Sequence, residues 1–142
     1  MDATPFGRYQ LQELIGKGGM GEVYRAYDTR TDRIVALKVL PENLASDELF
    51  QQRFRRESQA AAGLTEPHVV PIHGFGEIDG RLYLDMRLIE GRNLGTLLKE
   101  SAKPPSTAFA VSVVEQVASA LDAAHAAGLI HRDVKPSNIL IT

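Results

Sequence analysis

The chain has no cysteine, which excludes disulfide bonds and thiolate metal sites and suits a reducing compartment. Its four histidines are scattered, and none pairs with another at metal-ligand spacing. The net charge is only −2, so there is no electrostatic reason to expect nucleic acid as a partner. No apolar run approaches the length of a membrane span, and the N-terminus lacks a signal-peptide pattern. We therefore expect a cytoplasmic segment without a membrane span, although a longer parent could be anchored elsewhere.

The segment from His131 to Asn138 carries the most chemical information. Asp133 can accept a proton from a hydroxyl group, a role worth roughly 10²–10⁴-fold in rate. Lys135 can hold a cation against a moving phosphoryl group, and Asn138 offers a carbonyl oxygen that suits Mg²⁺. The same residue types are common in polar turns. The His-Arg pair before Asp133 and the apolar strand after Asn138 favour a catalytic loop for phosphoryl transfer.

A second motif has glycines at the spacing G-x-G-x-x-G, with a fourth glycine inside it. Glycine lets backbone amides approach phosphate oxygens and adopts positive φ without a steric clash. Dinucleotide-binding folds use the same spacing, but there the glycines open a helix. Here residues 9–15 and 22–27 both alternate as strands, so we predict a hairpin whose tip folds over phosphates, in preference to an ordinary glycine-rich turn. The tip consists of Ile15, Gly16, Lys17, Gly18, Gly19, Met20, Gly21, Glu22 and Val23.

A lysine and a glutamate stand at positions that otherwise look apolar. Lys38 lies inside the apolar strand 34–40, where a charge is costly unless it is paired. Glu57 falls on the same predicted helical face as Phe50 and Phe54. An outward-pointing lysine and a solvated arginine-rich helix face are the alternative interpretation. We predict a Lys38–Glu57 ion pair, because each residue explains the burial of the other.

Together these motifs resemble the amino-terminal half of the protein kinase family. The closer likeness, carried by residues 66–73 and 121–126, is to the eukaryotic-type serine/threonine kinases of actinobacteria. The resemblance implies an α+β fold with a five-stranded antiparallel sheet and one long helix, then a hinge, the first helices of a helical lobe and the catalytic loop. We expect a partial kinase domain over 9–142, divided into an ATP-binding lobe with hinge at 9–89 and the start of the helical lobe at 90–142.

The same resemblance implies ATP and Mg²⁺ as cofactors and serine or threonine hydroxyls of proteins as substrates. In it, the glycine hairpin covers ATP, Lys38 holds the α and β phosphates, and Glu57 positions Lys38. Asp133 is the catalytic base and Asn138 the metal ligand. The adenine is expected to contact the gatekeeper Met86, the hinge residues Arg87 and Ile89, and a sandwich of Val23, Ala36 and Leu140.

Periodicity and turn residues place the elements. We predict strands near 9–16, 22–29, 33–40, 69–76 and 81–87, with Gly74-Phe75-Gly76 and Asp79-Gly80 as the turn residues between the last two strands. Helices are expected near 47–64 and 107–127. Ser106 or Thr107 is expected to cap the second helix and Gly128 to end it.

Three classes of function stay open from the sequence. The first is a protein serine/threonine kinase, the second a non-catalytic regulator that binds nucleotide or another kinase, and the third a small-molecule phosphotransferase. Lys135 favours the first by resemblance. The 142 residues contain no Asp-Phe-Gly after Asn138, so we expect a domain truncated before that motif and inactive alone. We also expect Val114, Val117 and Leu121 to be exposed and to promote dimerisation.

Overall fold

The computed structural model describes residues 3–18, 20–129 and 135–142. By their internal contacts these residues form two compact units. The first contains the described parts of Met1–Gly63 together with Val70–Leu88, and the second contains Leu64–Val69 with the described parts of Ile89–Thr142.

The first unit is built on a six-stranded antiparallel sheet. Its strands are β1 (Thr4–Phe6), β2 (Tyr9–Gly18), β3 (Gly21–Asp28), β4 (Arg33–Val39), β5 (Ile72–Ile78) and β6 (Arg81–Arg87), in the order β1-β2-β3-β4-β6-β5. Five of these were predicted, with β5 starting three residues later than expected. The additional strand, β1, has only three residues and includes Pro5, so it is too short to show alternation.

A two-residue turn, Asp79-Gly80, joins β5 and β6. Both residues were predicted as turn residues, whereas Gly74-Phe75-Gly76, also predicted there, lie inside β5 because that strand runs to Ile78. Asp79 and Gly80 both have positive φ, 50° and 75°. Positive φ at both central residues matches the right-handed twist of the flanking strands. This turn aligns β6, the strand that leads toward the predicted hinge.

Alternation along the strands gives the sheet two apolar faces. The first core cluster contains Phe6, Tyr9, Ala26, Val35, Leu37 and Val39. The second contains Leu40, Phe54 and Leu82, with Phe75 and Leu84 packed against it. Full burial of one such aliphatic or aromatic side chain stabilises a fold by about 1.5–3 kcal/mol. The two clusters therefore fix which side chains of each strand lie on which face of the sheet.

Helix α2 (Glu48–Ala62) supplies part of the second cluster, and the short helix α1 (Glu42–Ala45) precedes it. The N-terminus of α2 is capped by Asp47, whose side chain accepts a hydrogen bond from the Phe50 N–H at 3.1 Å. The ring of Phe54 meets that of Phe75 edge-on, with centroids 6.2 Å apart. Aromatic packing thus anchors the helix to β5.

The second unit contains β7 (Arg92–Asn93), α3 (Leu94–Glu100), α4 (Thr107–Ala126), a 3₁₀ turn (Pro136–Asn138) and β8 (Leu140–Ile141). As predicted, Ser106 caps α4, its Oγ accepting from the Phe109 N–H at 3.1 Å, and Gly128 follows the helix with φ of 83°. None of the 20 residues of α4 is buried in the described structure. Val114 is 66% exposed, whereas Val117 and Leu121 are partly covered.

Across residues 3–18, 20–129 and 135–142, no helix has both the length and the apolar character needed to span a membrane.

Candidate active site

Cross-strand pairing places several predicted nucleotide-binding positions on one face of the first unit's sheet. Gly16 of β2 pairs with Val23 of β3, and Val23 pairs with Lys38 of β4. Ala36, two residues before Lys38, pairs with Met86 of β6. Directly paired residues share a face, as do residues two apart along a strand. These five positions, which we call the site face, therefore lie together on the side opposite the first core cluster.

The glycine hairpin closes at the Gly18–Gly21 pair. Gly21 has φ of 114°, and a Cβ there would lie 2.2 Å from the carbonyl oxygen of Val39, so only glycine fits. A Cβ at Gly18 would meet no atom within 4 Å. The hairpin is thus held against β4 at Gly21 while Gly18 faces open space, an arrangement that leaves its backbone accessible to a phosphate group.

Lys38 is partly buried on the site face. Its cross-strand partner Leu84 packs against the second core cluster, so α2 covers part of the same face. Burial lowers the pKa of the Lys38 ammonium group below its ordinary value, because desolvation disfavours the charged form. A desolvated cation attracts phosphate oxygens more strongly than a hydrated one.

The predicted Lys38–Glu57 ion pair is not formed within the part of the chain that the structure describes. Glu57 is exposed, so its assignment to the apolar face of α2 is wrong. The buried residues of α2 are Phe54 and Ser58. On a regular helix Glu57 lies about 60° from Phe54 and Ser58 about 40° on the other side, so packing centred on Phe54 turns Glu57 toward solvent. A pair in the nucleotide-bound state stays a prediction.

The end of β6 carries the predicted hinge. Met86 pairs with Ala36 on one side and with Ile72 of β5 on the other. The Arg87 N–H donates a hydrogen bond to the Pro71 carbonyl oxygen at 3.0 Å. The N–H of Arg87 is therefore engaged within the first unit.

In the second unit, the segment after the predicted catalytic residues is docked onto α3 and β7. The Leu94 N–H donates to the Ile139 carbonyl oxygen at 2.7 Å, and Asn93 pairs with Leu140. A Cβ on Gly91 would lie 2.5 Å from the Ile141 carbonyl oxygen, so this contact requires glycine.

The 3₁₀ turn contains the predicted catalytic residue Asn138, and Lys135 immediately precedes it. The Asn138 N–H donates to the Lys135 carbonyl oxygen at 2.9 Å. Asp133 and Gly19 lie outside the described residues. Ile89 and Leu140 belong to the second unit, with Leu140 44% exposed.

The described residues offer more groups for the phosphates of ATP than ligands for Mg²⁺. The open backbone at Gly18 and the cation of Lys38 suit a phosphate chain. Among the residues with described positions, no group of three or more histidine, aspartate or glutamate side chains could hold a metal ion. The side-chain oxygen of Asn138 is a suitable hard ligand for Mg²⁺, but it supplies only one.

Sequence reasoning missed a buried polar network behind the site face. Tyr9 donates its hydroxyl proton to Asp85 Oδ2 at 2.7 Å, and Asp85 is only 1% exposed. Burial, reinforced by this hydrogen bond, raises the pKa of Tyr9 above its ordinary value. The signal that could have revealed it is Asp85, a carboxylate inside the apolar strand Arg81–Arg87. Strand alternation places Asp85 on the same face as Tyr83, the core side.

A family model described as the protein kinase domain matches residues 9–142. The chain belongs to the protein kinase family. It is 57% identical over 141 residues to serine/threonine-protein kinase PknE of Mycobacterium tuberculosis, covering 99% of this chain and 25% of PknE. It is 53% identical over 146 residues to PknD of the same organism, covering 99% of this chain and 22% of PknD.

Solved structures agree with this assignment. The crystal structure of the Mycobacterium tuberculosis PknI kinase domain matches with a TM-score of 0.86 and 35% identity, over 100% of this chain and 58% of that chain. The predicted family and fold class are confirmed. The chain spans about a quarter of the length of PknE and PknD.

Proposed function

We propose that this chain is the ATP-binding and catalytic-loop part of a protein serine/threonine kinase, which transfers the γ-phosphate of ATP to a serine or threonine hydroxyl. The observation that carries the proposal is the site face, where a glycine hairpin and a desolvated lysine share one side of the sheet with Ala36 and Met86. The names of the mycobacterial relatives support the substrate class.

The residues act by positioning and by charge. The glycine hairpin holds the phosphate chain through its backbone, and Lys38 places a cation beside the α and β phosphates. Ala36 and Val23 contact the adenine ring, and Met86 lies behind it. Asn138 would supply one ligand to a Mg²⁺ ion, which when bound would neutralise charge on the phosphates.

Asp133 is assigned as the base that orients the attacking hydroxyl and accepts its proton, with Lys135 beside the transferred group. The test is Asp133→Asn in the natural protein that contains this chain. We expect radiolabelled phosphate transfer from ATP to a generic basic protein, and to the enzyme itself, to fall at least about 100-fold. ATP binding by calorimetry should persist. The matched control is Asp122→Asn, an identical change at an exposed position of α4.

Each result decides between the classes of function. Undiminished transfer by Asp133→Asn would contradict the role of this residue. ATP binding without any transfer in the unmodified protein would instead favour a regulatory, non-catalytic relative. Label found on a small molecule and not on serine or threonine would indicate the small-molecule phosphotransferase.

For the 142-residue chain alone we expect at most weak ATP binding and no turnover. The reason is that Asn138 is the only metal ligand assigned within it, so charge on the phosphates is incompletely neutralised. Calorimetry with ATP and a transfer assay on the purified chain test this. Turnover that disappears in Asp133→Asn would overturn the expectation.

A further inference from the structure

The carboxylate of Asp85 joins three parts of the first unit behind the site face. Its Oδ2 accepts from the Tyr9 hydroxyl at 2.7 Å and lies 3.6 Å from Arg8 Nη2. Its Oδ1 lies 3.2 Å from Nδ1 of His73 on β5. Arg8 also binds the buried Asp28 of β3, Nε to Oδ1 at 3.1 Å. One buried carboxylate thus links β6 to β5 on one side of it in the sheet and to β2 on the other.

Asp85 is next to Met86 on β6, and alternation sends the two side chains to opposite faces. Asp85 pairs with Leu37 of the first core cluster, whereas Met86 pairs with Ala36 on the site face. A fixed Asp85 side chain therefore limits how far the backbone at Met86 can shift or rotate.

Tyr9 links the same carboxylate to the other end of the site. It is the first residue of β2, the strand that runs to Gly16 and Gly18. The Arg8 guanidinium carbon lies over the Tyr9 ring, 4.8 Å from the ring centroid, a cation–π contact. The network consequently joins the base of the glycine hairpin to the strand that leads into the hinge.

An apolar residue in place of Asp85 would fill this core without the cost of burying a charge. The carboxylate instead forms directional contacts with three side chains that packing alone would not orient. Directional contacts to a side chain adjacent to a ligand-binding residue are a common way of holding that residue in place.

We propose that Asp85, held by Tyr9, Arg8 and His73, is a positioning residue that sets the place of Met86 and Arg87 relative to the adenine of the nucleotide. The proposal rests on the proposed function, because it assumes that the site face binds a nucleotide. Loss of one Asp85 contact should weaken adenosine binding by about 3- to 10-fold, less than the full worth of a hydrogen bond to a charged group, because the nucleotide experiences only the resulting shift of the hinge. Binding of inorganic tripolyphosphate, which does not reach the hinge, should be unchanged.

The first experiment needs no nucleotide. The chain has three methionines, so the Met86 methyl signal is assigned in a methyl-¹³C-methionine spectrum with Met86→Leu. Tyr9→Phe removes the hydroxyl that binds Asp85 and keeps the ring. Tyr83→Phe is the matched control, because it removes a hydroxyl from β6 on the same face without touching that bond. We expect Tyr9→Phe to move the Met86 methyl signal and to speed exchange of the Arg87 amide, and Tyr83→Phe to do neither.

The second experiment introduces the same changes into the natural protein that contains this chain and measures adenosine and tripolyphosphate binding by calorimetry, well below the unfolding temperatures. A 3- to 10-fold loss of adenosine affinity in Tyr9→Phe alone, with tripolyphosphate unchanged, supports the proposal. An unmoved Met86 signal, or equal adenosine affinity in Tyr9→Phe and the unmodified chain, overturns it and leaves the proposed function intact. Failure of the unmodified protein to bind adenosine overturns the proposed nucleotide site and this inference with it.

His73→Gln serves if Tyr9→Phe does not fold. The His73 side chain is 23% exposed, so its replacement leaves no cavity in the core. It removes the contact to Asp85 Oδ1 and is expected to give the same changes in smaller measure. No effect on the Met86 signal would count against the proposal in the same way.

Discussion

Two of the charged side chains in this molecule, Lys38 and Asp28, are removed from water, and they differ in how that cost is offset. Lys38 is the clearest case: its ammonium group is desolvated on the site face, and no carboxylate among the described residues offsets the cost. Buried unpaired charge destabilises a fold, and such residues are retained where function needs them. Asp28 is the opposite case, because it is buried but its Oδ1 accepts from Arg8 Nε at 3.1 Å and from the Arg30 N–H at 3.0 Å.

Lys38→Met should therefore separate stability from function. We expect the free energy of unfolding to stay the same or rise, by on the order of 1 kcal/mol, because the change removes a desolvated charge. ATP affinity, measured in the natural protein that contains this chain, should fall sharply. Urea denaturation and calorimetry with ATP measure the two quantities. A strongly destabilised variant would indicate that Lys38 has a favourable partner in the folded chain.

The pKa of the Asp28 carboxyl group leads to a prediction of how the free energy of unfolding depends on pH. Burial alone would raise the pKa of Asp28, but hydrogen bonds from Thr31 and Arg30 and the Arg8 guanidinium lower it below its ordinary value. A carboxyl group with a lowered folded-state pKa contributes stability above its unfolded pKa of about 4, and that contribution is lost as pH falls through the folded pKa. Denaturant titrations between pH 7 and 3 should show a steeper loss in the unmodified chain than in Asp28→Asn.

The control for that titration is Asp79→Asn, which makes the same change of charge on an exposed turn. Asparagine tolerates the positive φ of 50° found there. Its stability profile should follow that of the unmodified chain. If Asp28→Asn keeps the full acid dependence, the stabilisation assigned to the Asp28 carboxylate is wrong.

Among the secondary structure elements, the glycine hairpin combines a rigid attachment with an open tip. Gly21 is pressed against the Val39 carbonyl, whereas Gly18 has free space beside it. Glycines that look alike in the sequence motif therefore differ in role: Gly21 is required by packing, whereas Gly18 is the one proposed to face the phosphates.

Gly21→Ala and Gly18→Ala should differ accordingly. Gly21→Ala forces a side chain into positive φ and onto the Val39 backbone, and is expected to cost at least about 1–3 kcal/mol of unfolding free energy. Gly18→Ala should change stability by less than about 1 kcal/mol and instead weaken ATP binding. Thermal denaturation and calorimetry report both effects. Equal destabilisation by the two changes would contradict this division.

For the molecule as a whole, the two units differ in how much apolar surface they bury. Of the buried hydrophobic residues in the described structure, all but Leu94 belong to the first unit. In the second unit α4 has no buried residue, and Phe109, Val111 and Val114 are exposed by 36%, 50% and 66%. Val111 and Val114 are three residues apart and lie near the same face of the helix, and exposed apolar side chains grouped in this way favour association.

We accordingly expect the purified 142-residue chain to self-associate through α4. Sedimentation velocity should show dimers or larger species that decline at least several-fold in Val114→Glu. Gln116→Glu is the control, since it adds the same charge on another side of the helix and can keep its contact with Ser112. A monomer at all concentrations, or an equal response to both changes, would rule out this face.

Local sequence patterns were sufficient for the elements and for the family. Alternation, turn residues and caps located five strands, both long helices, the Asp79-Gly80 turn and the Ser106 cap, because these depend on neighbours within a few residues. Spacing together with the flanking strand patterns predicted the glycine hairpin and the segment around Asn138, because the chemistry of phosphate binding restricts residue type and position.

Tertiary structure alone decided which charged residues are buried and what they contact. Glu57 was expected on the apolar face of α2 and is exposed, because Phe54 and its contact with Phe75 set the rotation of the helix. Asp85 and Tyr9 are far apart in the sequence, and only the pairing of β2 through β6 brings them within 2.7 Å. Contacts of this kind depend on strand order and register, which arise from burial summed over the whole sheet.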